Sequence, residues 1–170
     1  PTFFAGTVDS HGNIDRTGDD AVIAYYDLEG LPITYEQKDA KGRLTGKTKE
    51  YFRIRWQFPD EHLDKEGKPF KYKSPYGAAT YVYIPEHIRE RYRKAEPIPR
   101  LFIQEGEKKA EKACKHGIMS VAISGIGNIA TNKRLPEDII KIISVCKVQA
   151  LHSCVCHARY TQIPVGADIR

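Results

Sequence analysis

The sequence lacks the features that mark several specialised classes of protein. Its apolar runs fall well short of the about 18 residues that a membrane span needs, and no basic segment followed by an apolar one marks a secretory signal. Only 4 of the 170 residues are cysteine, so we expect reduced thiols, a cytoplasmic location and no membrane partner. The Gly-x-x-x-x-Gly-Lys-Ser/Thr motif is also missing, which excludes an ATPase activity of that class.

The charge that the chain carries is unevenly distributed. The first 30 residues hold six acidic side chains and one basic, yet the whole sequence has a formal net charge of +5. The remainder is therefore basic, which suits a polyanionic partner such as nucleic acid. A solvated lysine-rich surface would give the same composition, so charge alone leaves both interpretations open.

The distribution of proline, glycine and apolar residues predicts an α+β fold in four parts. Residues 1–20 are polar and contain three glycines, as expected of a flexible arm. Residues 21–96 are predicted to form an antiparallel β-rich basic subdomain. A stiff Pro-Ile-Pro connector then opens an α/β subdomain over residues 97–156, with a parallel sheet. Residues 157–170 are predicted to be an irregular tail.

Alternating apolar residues predict the strands of the β-rich part. Ala21–Asp27 and Leu31–Gln37 flank a Leu-Glu-Gly turn and are predicted to pair as a hairpin. Tyr51–Phe58 alternates strictly, with one face made of Phe52, Ile54, Trp56 and Phe58 and the other of Tyr51, Arg53, Arg55 and Gln57. We interpret the first face as core. The arginines of the second face fit either cross-strand ion pairs or contacts with a polyanion.

A predicted β-α-β unit over residues 101–128 contains the main candidate for chemistry. Leu101–Ile103 and Val121–Ile123 are short apolar runs typical of buried parallel strands. Glu105 follows the first strand, at the edge where open α/β sheets build their sites. A carboxylate at this position suits metal binding or proton transfer. It equally suits capping of the next helix and pairing with the positive end of that helix's dipole. The lysines of that helix form either a phosphate-facing stripe or a solvated face: Lys108, Lys109, Lys112 and Lys115.

Several segments carry a resemblance to a known family. The runs LFIQEGEKKA from residue 101, KHG from residue 115 and VAISGIGN from residue 121 resemble the TOPRIM-like domain of plasmid- and phage-type primases. The similarity is to an uncharacterised branch of that group with an EGEKKA motif. YFRIR from residue 51 and KYKSP from residue 71 are similar to the β-rich part of the same branch. The resemblance covers roughly Ala21 to Cys146.

The resemblance implies metal-dependent phosphoryl or nucleotidyl transfer on nucleic acid. Glu105 would be the catalytic acidic residue and the ligand of Mg²⁺ or Mn²⁺. Backbone amides that approach a phosphate would come from Gly106 and from the turn after the second strand, Gly125, Gly127 and Asn128. The residues that would face template and nucleotide are Arg53, Arg55, Lys71, Lys73, Lys108 and Lys109, with Tyr72 or Tyr76 able to stack on a base.

The resemblance also implies partners. Single-stranded DNA or an RNA–DNA hybrid would be the polymer, and nucleotides would be the small-molecule substrates. In a full-length protein of a plasmid, phage or other mobile element, a helicase or ATPase module would accompany this chain.

Two departures from the family pattern leave the activity open. Lys109 stands where other primases have an acidic residue, and no Asp-x-Asp pair follows the third predicted strand, Val148–Cys156. The chain is therefore an enzyme, a nucleic-acid-binding module without catalysis, or a small α/β protein that binds a phosphorylated metabolite.

A second group of chemistry-bearing residues follows near the end of the chain. His152, Cys154 and Cys156 would share one face of the third predicted strand, with His157 on the other. Zinc sites usually pair cysteines across two to four intervening residues and need a second pair of ligands. A zinc site and a buried strand therefore both stay open.

Overall fold

The computed structural model describes residues 2–8, 13–124, 135–154 and 161–163. For Cys154 and residues 161–163 it describes only the backbone. Within these residues the chain combines antiparallel sheet, a mixed sheet with parallel strands, and three helices, so the predicted α+β class is confirmed. The chain packs as two compact units: Pro1–Tyr25 with Pro32–Ala79, and Tyr26–Leu31 with Thr80–Arg170. The four-part organisation inferred from the sequence stays a prediction.

Short strands make up the first unit. In chain order they are β1 (Phe3–Ala5), β2 (Thr7–Val8), β3 (Ile14–Asp15), β4 (Ala21–Ala24), β5 (Thr34–Lys38), β6 (Leu44–Glu50), β7 (Phe52–Arg55) and β8 (Tyr72–Lys73), with a 3-10 helix at Pro59–Glu61. Four of them form an antiparallel sheet in the order β1-β4-β7-β8. In addition, β2 pairs with β3 and β5 pairs with β6.

The hairpin predicted between Ala21–Asp27 and Leu31–Gln37 forms beside its turn, but its strands β4 and β5 do not pair with each other. Both hydrogen-bonding edges of β4 are occupied, one by β1 and one by β7, so β5 pairs with β6 instead. The hairpin forms only beside its turn, where the Asp27 N–H donates to the Leu31 carbonyl and the Ile33 N–H donates to the Tyr25 carbonyl, both at 2.9 Å. A strand has two edges, and non-local partners have taken both of those of β4.

The core of the first unit lies on one face of β4 and β7. Its buried members are Val22, Phe52, Ile54 and Trp56. The predicted alternation is therefore confirmed in the middle of the strand, but it is wrong at both ends, because Phe58 is 58% exposed and Tyr51 only 2%. The chain turns into the 3-10 helix after Phe58, so that side chain no longer follows the strand. Tyr51 precedes β7 and packs edge-on against Tyr25, with ring centroids 4.9 Å apart.

The second unit is built on a five-stranded mixed sheet. Its elements are β9 (Val82–Tyr83), α1 (Glu86–Arg93), β10 (Arg100–Gln104), α2 (Glu107–Lys115), β11 (Ser120–Ile123), α3 (Glu137–Val145), β12 (Ala150–Cys154) and β13 (Thr161–Ile163). The strand order is β13-β12-β10-β11-β9. As predicted, β10 is parallel to β11 and β12, whereas the outer strands are antiparallel to their neighbours. Among the described residues, no helix is long and apolar enough to cross a membrane.

Alternate residues of the parallel strands build the core of this unit. Leu101 and Ile103 of β10 are fully buried, and the register places them opposite Leu151 of β12 and Val121 of β11 respectively. The helices add Ile88 from α1 and Ile139, Ile142 and Ile143 from α3. Full burial of one such side chain stabilises the fold by about 1.5–3 kcal/mol. These contacts determine how the sheet edge that follows β10 is positioned.

The segment Tyr26–Leu31 packs with the second unit, although its neighbours in sequence belong to the first. Arg89 of α1 is 3% exposed, and its guanidinium carbon lies 4.7 Å from the ring centroid of Tyr26. The same guanidinium forms an ion pair with Glu86. Leu28 joins the buried core of the unit. The segment is therefore attached by both an apolar and a cation–π contact.

The Cys114 thiol leads to a testable prediction. Its Sγ donates to the Ser120 carbonyl at 3.3 Å and accepts from the Ser120 N–H at 3.4 Å, and burial raises the pKa of the thiol to about 11. Because the thiolate is the nucleophile, iodoacetamide at pH 8 should alkylate Cys114 at least about 100-fold more slowly in the folded protein than in urea. Peptide mass spectrometry measures both rates, and equal rates would contradict this burial.

Candidate functional site

Glu105 stands at a topological switch point of the mixed sheet. From β10 the chain passes through α2 to β11 on one side, and from β11 through α3 to β12 on the other side of β10. The register pairs Gln104, the last residue of β10, with Ala122 of β11 and Cys154 of β12. The carboxyl ends of three parallel strands therefore meet where Glu105 follows. Open α/β sheets bind ligands at such an edge.

The surroundings of Glu105 are open. Its side chain is exposed and makes no hydrogen bond or ion pair with the described residues. The next residue, Gly106, has an extended backbone with φ −144° and ψ 145°, which any residue can adopt. A Cβ placed on Gly106 would meet no described heavy atom within 4 Å. The glycine thus leaves space beside the carboxylate instead of relieving a clash.

The described residues do not form a complete metal cage at this edge. In residues 2–8, 13–124 and 135–153, no three His, Cys, Asp or Glu side chains come close enough together to hold a metal ion. Magnesium is usually bound by one or two carboxylates together with water and substrate phosphates. Glu105 therefore fits a metal ion that arrives with a phosphorylated substrate, and does not fit a site preformed by protein ligands.

Glu107 is a buried acidic residue near this edge, and it is not among the site residues predicted from the sequence. It begins α2, is 2% exposed and takes part in interactions within the fold. Ala110 and Cys114 follow at positions i+3 and i+7 and are buried too. Glu107 therefore occupies the buried stripe of the helix, and its helical spacing is the signal that would have identified it.

The lysines of α2 lie where the helical pattern predicts. Lys108, Lys109, Lys112 and Lys115 are all exposed, whereas Ala110 and Cys114 are buried. This arrangement agrees with a phosphate-facing stripe and with a solvated face alike.

Several of the predicted site residues lie outside the described part of the chain. They are Gly125, Gly127, Asn128, Cys156 and His157, together with the side chain of Cys154. In the histidine–cysteine group only the side chain of His152 is described, and its ring stacks on Phe102 of β10 with centroids 5.0 Å apart. The phosphate turn and the zinc site therefore stay predictions.

In the first unit, the strand register divides the predicted basic residues between two faces. Arg55 lies directly opposite Tyr72, and Arg53 falls on the same face by the alternation of β7. Lys73 lies opposite Ile54, which belongs to the core, so it lies on the other face. The sequence had suggested one interface for all of these residues, and the register shows two groups.

Arg53 and Tyr72 form a connected group on the first face. The Arg53 guanidinium carbon lies 4.9 Å from the ring centroid of Tyr72, and Arg53 Nε donates to Ser74 Oγ at 3.2 Å. The Tyr51 hydroxyl reaches the same Ser74 oxygen at 3.5 Å. Arg55 lies beside this group, partly exposed and without an ion-pair partner among the described residues. The face therefore offers two guanidinium groups beside one aromatic ring.

The opposite face carries Lys73 at the edge of the core. Its Nζ lies 5.8 Å from the ring centroid of Trp56, and His62 stacks on the same indole with centroids 3.8 Å apart. Trp56 is 6% exposed, as expected of a core residue. Lys71 is exposed, and its carbonyl accepts a hydrogen bond from the Trp56 N–H at 3.0 Å. Lys73 thus borders an aromatic stack and lies on the face away from Arg53.

Comparison with known proteins adds one similar structure. No family model and no curated protein matches the chain. The crystal structure of the RNA polymerase domain (RPD) of Mycobacterium tuberculosis primase DnaG is similar with a TM-score of 0.43 and 12% sequence identity. The alignment covers 84% of this chain and 38% of that one. A similarity of this size establishes neither family nor function.

The contrast between the two acidic residues can be tested by matched substitutions. Glu105→Gln should change the free energy of unfolding by less than about 0.5 kcal/mol, because the side chain is exposed and has no described partner. Glu107→Gln removes a buried carboxylate together with its interactions and should cost about 1–3 kcal/mol. Urea unfolding of both variants measures the two values. Equal costs would contradict the difference in burial.

Proposed function

We propose that this chain is a TOPRIM-like nucleic-acid transaction domain of a replication or primase protein from a plasmid, phage or other mobile element. The observation that carries the proposal is the face that joins Arg53, Arg55 and Tyr72. Guanidinium groups bind backbone phosphates, and an aromatic ring among cations stacks on unpaired bases. Single-stranded DNA is therefore the ligand that we assign to this face.

The contacts around Arg53 support this assignment. Ser74 accepts from its Nε and Tyr72 lies under its guanidinium, so the orientation of the group is already restricted before a ligand arrives. Restricting a long side chain in advance lowers the entropy that is lost on binding. Arg55 adds a second cation on the same side of β7. Phosphates would then contact the arginines while a base stacks on the exposed part of the ring.

The second part of the proposal concerns Glu105. We assign it as the acidic residue of a nucleotidyl-transfer site that binds nucleotides and makes an RNA–DNA hybrid. Bound Mg²⁺ or Mn²⁺ would neutralise charge on the transferring phosphate. Glu105 would hold that ion together with substrate phosphates, and Gly106 leaves the space for them. Lys108 and Lys109, which are exposed on the first turn of α2, would contact phosphates at the same edge.

A binding module without catalysis is the second candidate, and one observation favours it. The described residues bring no three-ligand metal group to the switch point. In that case the fold and the arginine face would retain the nucleic acid, while catalysis would belong to another chain or module. A helicase or ATPase module in the full-length protein is the partner that we propose in either case.

Single-strand binding can be tested at the arginine face. Arg55→Ala should weaken the binding of a fluorescent single-stranded DNA at low salt, and it should reduce the slope of log K against log salt by about 0.7. Tyr72→Leu should weaken binding by about 1–3 kcal/mol with little change in that slope, because stacking is not ionic. Fluorescence anisotropy across a salt series measures both effects.

Lys65→Ala is the matched control for that experiment. Lys65 is an exposed cation of the same unit outside the arginine face, so its loss should change affinity less than that of Arg55. If Arg55→Ala and Tyr72→Leu both bind like the parent protein, or if the parent binds no single-stranded DNA at low salt, the proposed interface is wrong.

Catalysis can be tested separately at Glu105. Glu105→Gln should lower primer synthesis at least about 100-fold, and it should leave single-strand affinity unchanged, because Glu105 does not belong to the arginine face. Glu90→Gln, an exposed substitution on α1, is the control. Synthesis at the parental rate by Glu105→Gln would exclude the catalytic role. Binding without any synthesis by the parent protein would favour the second candidate.

A further inference from the structure

A two-stranded ribbon of the first unit takes no part in the surfaces described so far. It comprises β5, β6 and the turn between them, residues 34–50, and is called the basic ribbon below. Within the described residues these strands pair only with each other. At the base of the ribbon Tyr35 is 8% exposed and packs edge-on against Tyr51, with ring centroids 6.3 Å apart. Beyond that anchor almost every residue is exposed.

Two acidic side chains stiffen the tip of the basic ribbon by accepting hydrogen bonds. The Asp39 carboxylate accepts from the N–H groups of Lys41 and Arg43 at 2.9 Å, and from Arg43 Nε at 2.8 Å. These bonds lower the pKa of Asp39, with the contacts from Arg43 as the main cause. Glu36 Oε1 accepts from the Gly46 N–H at 2.9 Å. Two of the three carboxylates of the ribbon are therefore used to build it.

Most cations of the basic ribbon project outward. It contains five: Lys38, Lys41, Arg43, Lys47 and Lys49. The Arg43 guanidinium is paired with Asp39, and Lys49 Nζ donates to Asn13 at 3.0 Å. Lys41 and Lys47 are exposed and have no acidic partner in the part of the chain that the structure describes. Leu44, near the tip, is 62% exposed.

The shape of the basic ribbon favours B-form DNA over A-form RNA as its ligand. The seven residues of β6 extend about 23 Å. A two-stranded ribbon fits the major groove of B-form DNA, which is about 12 Å wide, whereas the major groove of A-form RNA is too narrow for protein side chains to read. The unpaired lysines would face phosphates on the groove walls, and Leu44 would meet apolar base edges. A B-form duplex therefore matches both the charge and the width of the ribbon.

From these observations we infer that the basic ribbon binds double-stranded B-form DNA through its major groove, with Lys41 and Lys47 on backbone phosphates. This surface and ligand are distinct from the single-strand face of Arg53, Arg55 and Tyr72. Together the two surfaces would let the first unit hold a duplex and an unpaired strand.

The test compares ligands on the full chain. Fluorescence anisotropy at low salt measures the affinity for a 20-base-pair DNA duplex, an RNA duplex of the same sequence, and the single strand. The parent should bind the DNA duplex more tightly than the RNA duplex. Lys41→Gln combined with Lys47→Gln should weaken duplex-DNA binding at least about tenfold and reduce the salt slope by about 1.8, or 0.9 per phosphate contact. Its single-strand affinity should stay unchanged.

Lys65→Gln combined with Lys94→Gln removes the same charge from exposed positions outside the basic ribbon. This control should lose less than half as much free energy of duplex binding as the test variant does. Urea unfolding of the control and of the test variant should match that of the parent protein. The inference is overturned if the test variant binds duplex DNA as tightly as the parent, or as tightly as the control. It is also overturned if both duplexes bind equally, or if the substitutions abolish binding to anionic lipid vesicles and spare the duplex.

The outcomes also separate this inference from the proposed single-strand function. If Arg55→Ala loses single-strand binding but binds the duplex normally, the inference about the basic ribbon stands. Loss of duplex binding in the ribbon variant with normal single-strand binding supports two surfaces. A parent protein that binds single strands and no duplex overturns the ribbon inference alone.

Discussion

The parallel pairing of β10 with both of its neighbours is the constraint on which the second unit depends. Leu101 and Ile103 are fully buried, and a slip of one residue would turn both toward the opposite face of the sheet. Burial of these side chains therefore specifies the register. The register in turn places the ends of three strands together. Glu105 is positioned by this packing alone and needs no contact of its own to reach the sheet edge.

Local patterns were sufficient to predict the three parallel strands of the second unit. The apolar runs at Leu101 and Val121 identified adjacent parallel strands, and helical spacing placed Ala110 and Cys114 inside and the lysines outside. A parallel β-α-β unit joins consecutive elements, so the partner of each strand is close in sequence. Glu107 was missed, although it shares the helical spacing of the buried positions Ala110 and Cys114.

The first unit was harder to predict because its pairings join distant parts of the chain. Alternation identified the core residues of β7 but could not show that β1 would occupy the edge of β4. The same limit applies to the basic residues. The side of the sheet on which Lys73 lies depends on its pairing with Ile54, almost twenty positions earlier. For Phe58, the alternation extended past the point where the strand ends, and no residue-by-residue pattern marks that point.

The packing of Tyr26–Leu31 has a consequence for how this chain can be divided or inherited. The segment belongs to the second unit, although the residues before and after it belong to the first. A single cut or a single recombination crossover near residue 80 would therefore not transfer the second unit intact. The transferred piece would lack Leu28 from its core, and the buried guanidinium of Arg89 would lose the ring of Tyr26. The two units are thus expected to be exchanged between proteins together, as one heritable block.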